Sequence, residues 1–164
     1  MRIKISGVVN DSIVDGSGFR LTVFTQGCPH HCPGCHNPQT HDPEGGFWSD
    51  TEDILRVAKE NPLLDGITLS GGDPFEQPLP CAELAKGAHA LGLNVWTYTG
   101  YTWEALLAEG GDKKTLLEST DILVDGPFLE RERSLELRFK GSRNQRTIDV
   151  KKSLESGKIV LWDA

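Results

Sequence analysis

Strand-like runs that return at a fixed interval, with a helical stretch between each pair, restrict this chain more than any other feature. Apolar segments rich in β-branched residues begin at Gly66, Asn94 and Asp121, about 27–28 residues apart. Between them Leu79–Leu91 and Thr102–Glu109 read as helices. In the second, Trp103, Leu106 and Leu107 fall at i, i+3 and i+4 and make one apolar face. Strand, helix and strand at this interval are the mark of βα units, which build a parallel sheet. The strands expected are Ile3–Val9, Arg20–Thr25, Gly66–Ser70, Asn94–Tyr98 and Asp121–Val124, with a further helix over Asp50–Asn61. Ser49 or Asp50 can cap that helix, and Gly92 can end the one over Leu79–Leu91. The fold class expected is α/β: a parallel βα-repeat sheet, open or curved into a partial (β/α) barrel. No linker or low-complexity tract interrupts the 164 residues, so one domain over 1–164 is expected. After Pro127 the pattern weakens, and Ile159–Trp162 reads as a closing edge strand.

The chain carries 17 Lys+Arg against 24 Asp+Glu, a net −7. That balance argues against general nucleic-acid binding, which needs a basic footprint. No apolar run approaches the roughly 20 residues of a membrane span. Met1–Ser6 lacks the charged-then-apolar layout of a signal peptide. A cytoplasmic protein with no membrane partner is therefore expected. In that compartment three cysteines within eight residues point to metal rather than to disulfides.

Parallel-sheet enzymes place their sites at the carboxyl ends of the strands. Three polar, glycine-bearing segments are expected there: Ser70-Gly71-Gly72-Asp73, Thr97-Tyr98-Thr99-Gly100 and Asp125-Gly126-Pro127. The loop Cys28-x3-Cys32-x2-Cys35 follows the Arg20–Thr25 strand and opens on the same rim. A four-iron cubane takes one ligand per iron, usually four cysteines. Cys81 is the only other cysteine and lies in an expected helix, where it reads as a small buried residue. Cys28, Cys32 and Cys35 would then leave one iron open to a small molecule. The competing reading is a Cys3His zinc site with His30, His31, His36 or His41. Structural zinc usually draws on two separated ligand pairs, whereas these candidates share one 14-residue stretch. Spacing favours the cluster and leaves zinc open.

The cysteine loop resembles the cluster motif of the radical S-adenosylmethionine superfamily. That resemblance implies a [4Fe–4S] cluster on Cys28, Cys32 and Cys35, with the methionyl end of S-adenosylmethionine on the open iron. It also implies reductive cleavage to a 5′-deoxyadenosyl radical. Ser70–Pro74 resembles the superfamily's Gly-Gly-Glu element, so Gly71, Gly72 and Asp73 are expected to bind the cofactor, with Asp73 one methylene short. Thr97 and Thr99 offer hydroxyls to ribose or carboxylate, and Asp125 is expected at the ribose by analogy with related activating enzymes. The superfamily often has an aromatic residue just before the third cysteine; here it is Gly34.

Within the superfamily the chain is similar to the activating proteins of anaerobic ribonucleoside-triphosphate reductase. The resemblance rests on Asp15–Arg20, Gln26–Pro38, Ser70–Pro74, Tyr98–Glu104, Asp121–Phe128 and Gly141–Arg146, and Cys-Pro-Gly-Cys is common there. It implies a glycyl-radical activase acting on the large reductase subunit, with an unidentified reductant such as flavodoxin. Hydrogen-atom transfer needs no acid/base pair, so none is assigned. Arg20, Arg143, Asn144 and Arg146 are read either as contacts to partner or cofactor or as loop braces. Two further readings stay open: an activase of another glycyl-radical enzyme, and a radical enzyme acting on a small molecule.

Overall fold

The computed structural model describes residues 1–163. Its strands are β1 (Arg2–Ser12), β2 (Arg20–Thr25), β3 (Phe47–Asp50), β4 (Gly66–Gly71), β5 (Asn94–Tyr98), β6 (Ile122–Asp125) and β7 (Arg146–Asp149). The helices are α1 (Thr51–Lys59), α2 (Pro78–Ala90), α3 (Trp103–Glu109), α4 (Gly111–Ser119) and α5 (Val150–Ser156). All seven strands join one sheet in the order β3-β1-β2-β4-β5-β6-β7. The expected βα repeat is its centre: β2, β4, β5 and β6 run parallel. The margins differ, since β1, β3 and β7 pair antiparallel. β3 and β7 remain unpaired to each other, so the barrel is incomplete.

Alternation along the strands divides two cores. Leu21, Val23, Ile67, Leu69, Val95 and Leu123 face the helices and pack with Leu84, Ala88, Leu106, Leu116 and Leu117. The other face carries a smaller cluster of Trp96, Ile122 and Val124, packed with Tyr98, Phe139 and Trp162. Burying apolar area on both faces stabilises the sheet at roughly 25 cal/mol per Å². Arg20 lies on this second face, fully buried. Its Nε donates to Thr68 Oγ1 at 2.7 Å, Nη1 to the Ser17 carbonyl at 2.8 Å and Nη2 to the Ile67 carbonyl at 2.9 Å. Desolvation lowers its pKa to about 10, which still leaves it charged at neutral pH. Arg20 thus braces the β1–β2 loop against β4.

Asp50 caps α1 by accepting from Glu52 N, and Gly92 follows α2 with φ +78°. Ile159–Trp162 lies against the outer edge of β7 but forms a single antiparallel bridge, Leu161 to Ile148, rather than a full strand. Asp149 N donates to the Val160 carbonyl at 2.9 Å and Trp162 N to that of Thr147 at 2.8 Å, while Trp162 packs on Trp96. Among the described residues no helix is long and apolar enough to cross a membrane.

Candidate functional site

The cysteine loop leaves the carboxyl end of β2 and closes at its base through two backbone bonds. Gly27 N donates to the Thr40 carbonyl at 2.7 Å, and Cys28 N to that of His41 at 3.1 Å. Cys35 N donates to the Cys32 carbonyl at 3.1 Å, and Gly34 has φ +75°. With Pro33 and Gly34 at its centre this is a type II turn, which wants Pro at the second position and Gly at the third. An aromatic residue at 34 would be strained there, and its Cβ would stand 3.0 Å from Glu130 Cδ. The turn therefore dictates the departure at Gly34.

Cys28, Cys32 and Cys35 are free and half-buried. Burial pushes the Cys28 thiol up to about 11, so ligation has to displace its proton. All three line one cavity of about 400 Å³ with His30, Gly71, Gly72, Tyr98, Thr99, Gly100 and Gly126. Val14 and the segment around Leu137, Phe139 and Lys140 complete its walls. β2, β4, β5 and β6 thus deliver their carboxyl ends to a common hollow.

The expected cofactor residues divide within this frame. Gly71, Gly72 and Thr99 line the cavity; Asp73, Thr97 and Asp125 stand outside its lining. Gly72 N donates to the Thr25 carbonyl at 2.8 Å, and a Cβ at Gly72 would lie 2.9 Å from the Thr40 carbonyl oxygen. Glycine there lets the turn pack under the cysteine loop. Asp73 is fully buried. It accepts from Phe75 N at 3.0 Å, Thr99 Oγ1 at 2.9 Å, Gly100 N at 3.0 Å and His30 Nε2 at 2.6 Å. Thr97 shares a hydrogen bond with Thr120 at 2.9 Å. Asp125 accepts from Trp103 N at 2.8 Å and from Arg146 Nη2 at 2.6 Å.

Arg146 also reaches Glu104 at 2.6 Å, and its bonds to Asp125 and Glu104 raise its pKa further. Asn144 Nδ2 donates to the Pro127 carbonyl at 2.7 Å, while Arg143 is exposed. Three of the four polar residues with two readings are thus braces. Lys140, Phe139 and Gln145 also stand in the cavity wall, a place their sequence context does not foretell. Lys140 Nζ, a cation in the wall, donates to the Gln145 carbonyl at 3.1 Å. Their segment has neither helical nor strand periodicity, so only the Gly141–Arg146 motif marked it.

The residues suit a cubane better than a single ion. No three His, Cys, Asp or Glu side chains among the described residues group as a site for one metal ion. His30 turns to Asp73 and His31 lies edge-on to His41, while His36 and His41 share the cavity lining with the cysteines. A cubane asks each cysteine to reach a different iron, which three free thiols around one hollow can do.

Residues 14–148 match the family model described as a 4Fe-4S single cluster domain. The anaerobic ribonucleoside-triphosphate reductase-activating protein of Salmonella typhimurium is 36% identical over 141 residues, covering 81% of this chain and 90% of that protein. The protein of the same name from Haemophilus influenzae is 32% identical over 144 residues, covering 81% and 89%. That from Escherichia coli K12 is 34% identical over 142 residues, covering 81% and 90%. Among solved structures, QueE from Escherichia coli aligns with TM-score 0.48 and 18% identity, over 62% of this chain and 54% of that one.

Proposed function

This chain belongs to the family of anaerobic ribonucleoside-triphosphate reductase-activating proteins, and from that premise we propose that it installs a glycyl radical on the large subunit of such a reductase. The observation that carries the reading is the meeting of Cys28, Cys32 and Cys35 with Gly71, Gly72 and Thr99 on one cavity, inside the region matched by the cluster family. The three cysteines would hold a [4Fe–4S] cluster, and Gly71, Gly72 and Thr99 would wall S-adenosylmethionine. When bound, cluster and cofactor supply a 5′-deoxyadenosyl radical that takes a hydrogen atom from glycine.

The chain's own residues position and shield. Tyr98, Phe139 and Phe128 make apolar walls that limit water around a reactive centre. Asp73 acts from behind the wall, fixing His30 in the cysteine loop and Gly100 at the end of β5. Thr97 and Asp125 brace the strand ends through Thr120 and Arg146. No acid/base pair is assigned, because hydrogen-atom transfer depends on placement. Residues 1–164 serve as one domain, in the cytoplasm, with a reductant such as flavodoxin as electron donor.

Anaerobic reconstitution followed by iron, sulfide and zinc analysis, then incubation with the reductase, tests the reading. About four irons and four sulfides per chain and a glycyl doublet in electron paramagnetic resonance are expected. Stoichiometric zinc without sulfide would exclude the cluster. Cofactor cleavage with no doublet would exclude this partner. Cys35→Ala should abolish 5′-deoxyadenosine formation.

A further inference from the structure

The segment from Glu130 to Arg146 runs against the charge of the molecule. It holds six cations against Glu130, Glu132 and Glu136, within a chain whose net charge is −7. Arg146 is spent on Asp125 and Glu104. Arg131, Arg133, Arg138 and Arg143 are exposed, and among the described residues the ion pairs found involve none of them. Leu135, at the outer end of the segment, is 97% exposed.

The segment is also fixed beside the reaction cavity. Arg143 N donates to the Glu132 carbonyl at 3.0 Å and Ser134 N to that of Gly141 at 3.4 Å, so the chain doubles back on itself. Arg133 bridges to Ser142, and Leu129 N donates to Ser142 Oγ at 3.2 Å. Leu137, Phe139 and Lys140 root it in the cavity wall. The segment thus borders the cavity that the cysteines line.

We propose that Arg131, Arg133, Arg138 and Arg143, with Leu135 between them, form the docking surface for an acidic face of the reductase that carries the target glycine. The inference rests on the function proposed above and adds where the partner sits and what chemistry draws it. The rest of the molecule is more acidic still without this segment, so an acidic partner is repelled elsewhere and steered here. Rim charges of this kind act on association and screen with salt, over about 10 Å at 0.1 M. Leu135 adds an apolar contact that salt does not weaken.

The test uses the reconstituted chain with intact reductase, reading binding by interferometry and glycyl radical formation by spin counting. The charge-reversed pair Arg131→Glu and Arg133→Glu, and the pair Arg138→Glu and Arg143→Glu, are compared with a control pair Lys151→Glu and Lys152→Glu on α5. The rim pairs should raise the KM for reductase roughly tenfold or more, with kcat changed far less. Raising salt should weaken the wild type steeply and the rim variants little, and this arm needs no variant to fold. Wild-type binding that ignores salt, or rim pairs that bind like the control, would overturn the docking surface while leaving the activase reading intact. A wild type that neither binds nor activates the reductase would overturn both. Salt-sensitive binding of ATP alone, lost in the rim pairs with reductase binding unchanged, would make the rim a nucleotide site and overturn the proposal.

Discussion

Asp73 meets four donor groups and no solvent, a demanding arrangement for one side chain. A carboxylate only accepts, so the His30 ring donates through Nε2 and is held by that bond. Asp73→Asn keeps the shape but replaces one acceptor oxygen with a donor among donors. We expect it to destabilise the metal-free protein by about 2–3 kcal/mol, read from urea midpoints. His30→Ala should couple to it by about 1–2 kcal/mol in a double-mutant cycle; additivity would disconnect the pair. Gly34 answers to the backbone rather than to partners. Gly34→Tyr should cost about 1–2 kcal/mol in the left-handed turn and lower the iron retained after reconstitution. That the three cysteines share one loop is legible in their local spacing. The bonds that fix Asp73, Thr97 and Asp125 are not, because their partners His30, Thr120 and Arg146 are distant in sequence.

Elements defined by burial on one or both faces could be read directly, and those set by their neighbours could not. β2, β4, β5 and α1–α3 follow from β-branched runs and helical spacing. β3 is four residues with Phe47 and Trp48 exposed, so pairing with β1 creates it without a hydrophobic face. α4 starts at Gly111 behind Gly110, both with positive φ, a pair that looks like a loop in sequence. β7 exists because Arg146 and Ile148 pair with Asp125 and Leu123. Arg146 ties three elements, since Asp125 ends β6 and accepts from Trp103 N at the start of α3. Arg146→Ala leaves the buried Asp125 carboxylate without its cation and should cost about 2–3 kcal/mol, the guanidinium being partly exposed. The second ion pair of Arg146, with Glu104, sets a pH dependence. The Arg146 hydrogen bond holds Glu104 below its ordinary value. Its stabilisation is therefore full above the unfolded carboxylate range and lost as pH falls through the lower folded value. Urea midpoints between pH 6 and pH 3 should fall less steeply in Arg146→Ala than in the wild type; equal slopes would remove Glu104 from the linkage.

At the scale of the molecule, regular structure and cavity lining separate. The parallel centre of the sheet is packed on both faces, whereas the cavity depends on two long connections, 26–46 and 126–145. The first holds only a short 3-10 turn at Pro38–Thr40, and the second only one at Glu130–Glu132. Away from the bonds at their bases they hold only local turns outside the sheet, so those parts belong to the low end of local stability. Three cysteines in the first connection would bind to one cluster, and binding to the folded form alone stabilises it by mass action. The gain should fall on the loop that supplies the ligands, because its ordering is what ligation requires. Hydrogen exchange of metal-free and reconstituted protein measures this residue by residue. Amides of β2, β4, β5 and β6 should be protected in both states. Amides from Cys28 to His41 should exchange within the shortest labelling times in the metal-free chain and slow by at least about tenfold once the cluster is loaded, a change of about 1.4 kcal/mol in local opening. Protection spread evenly over the sheet would mean that the cluster stabilises the whole fold rather than assembling the site on a scaffold already complete.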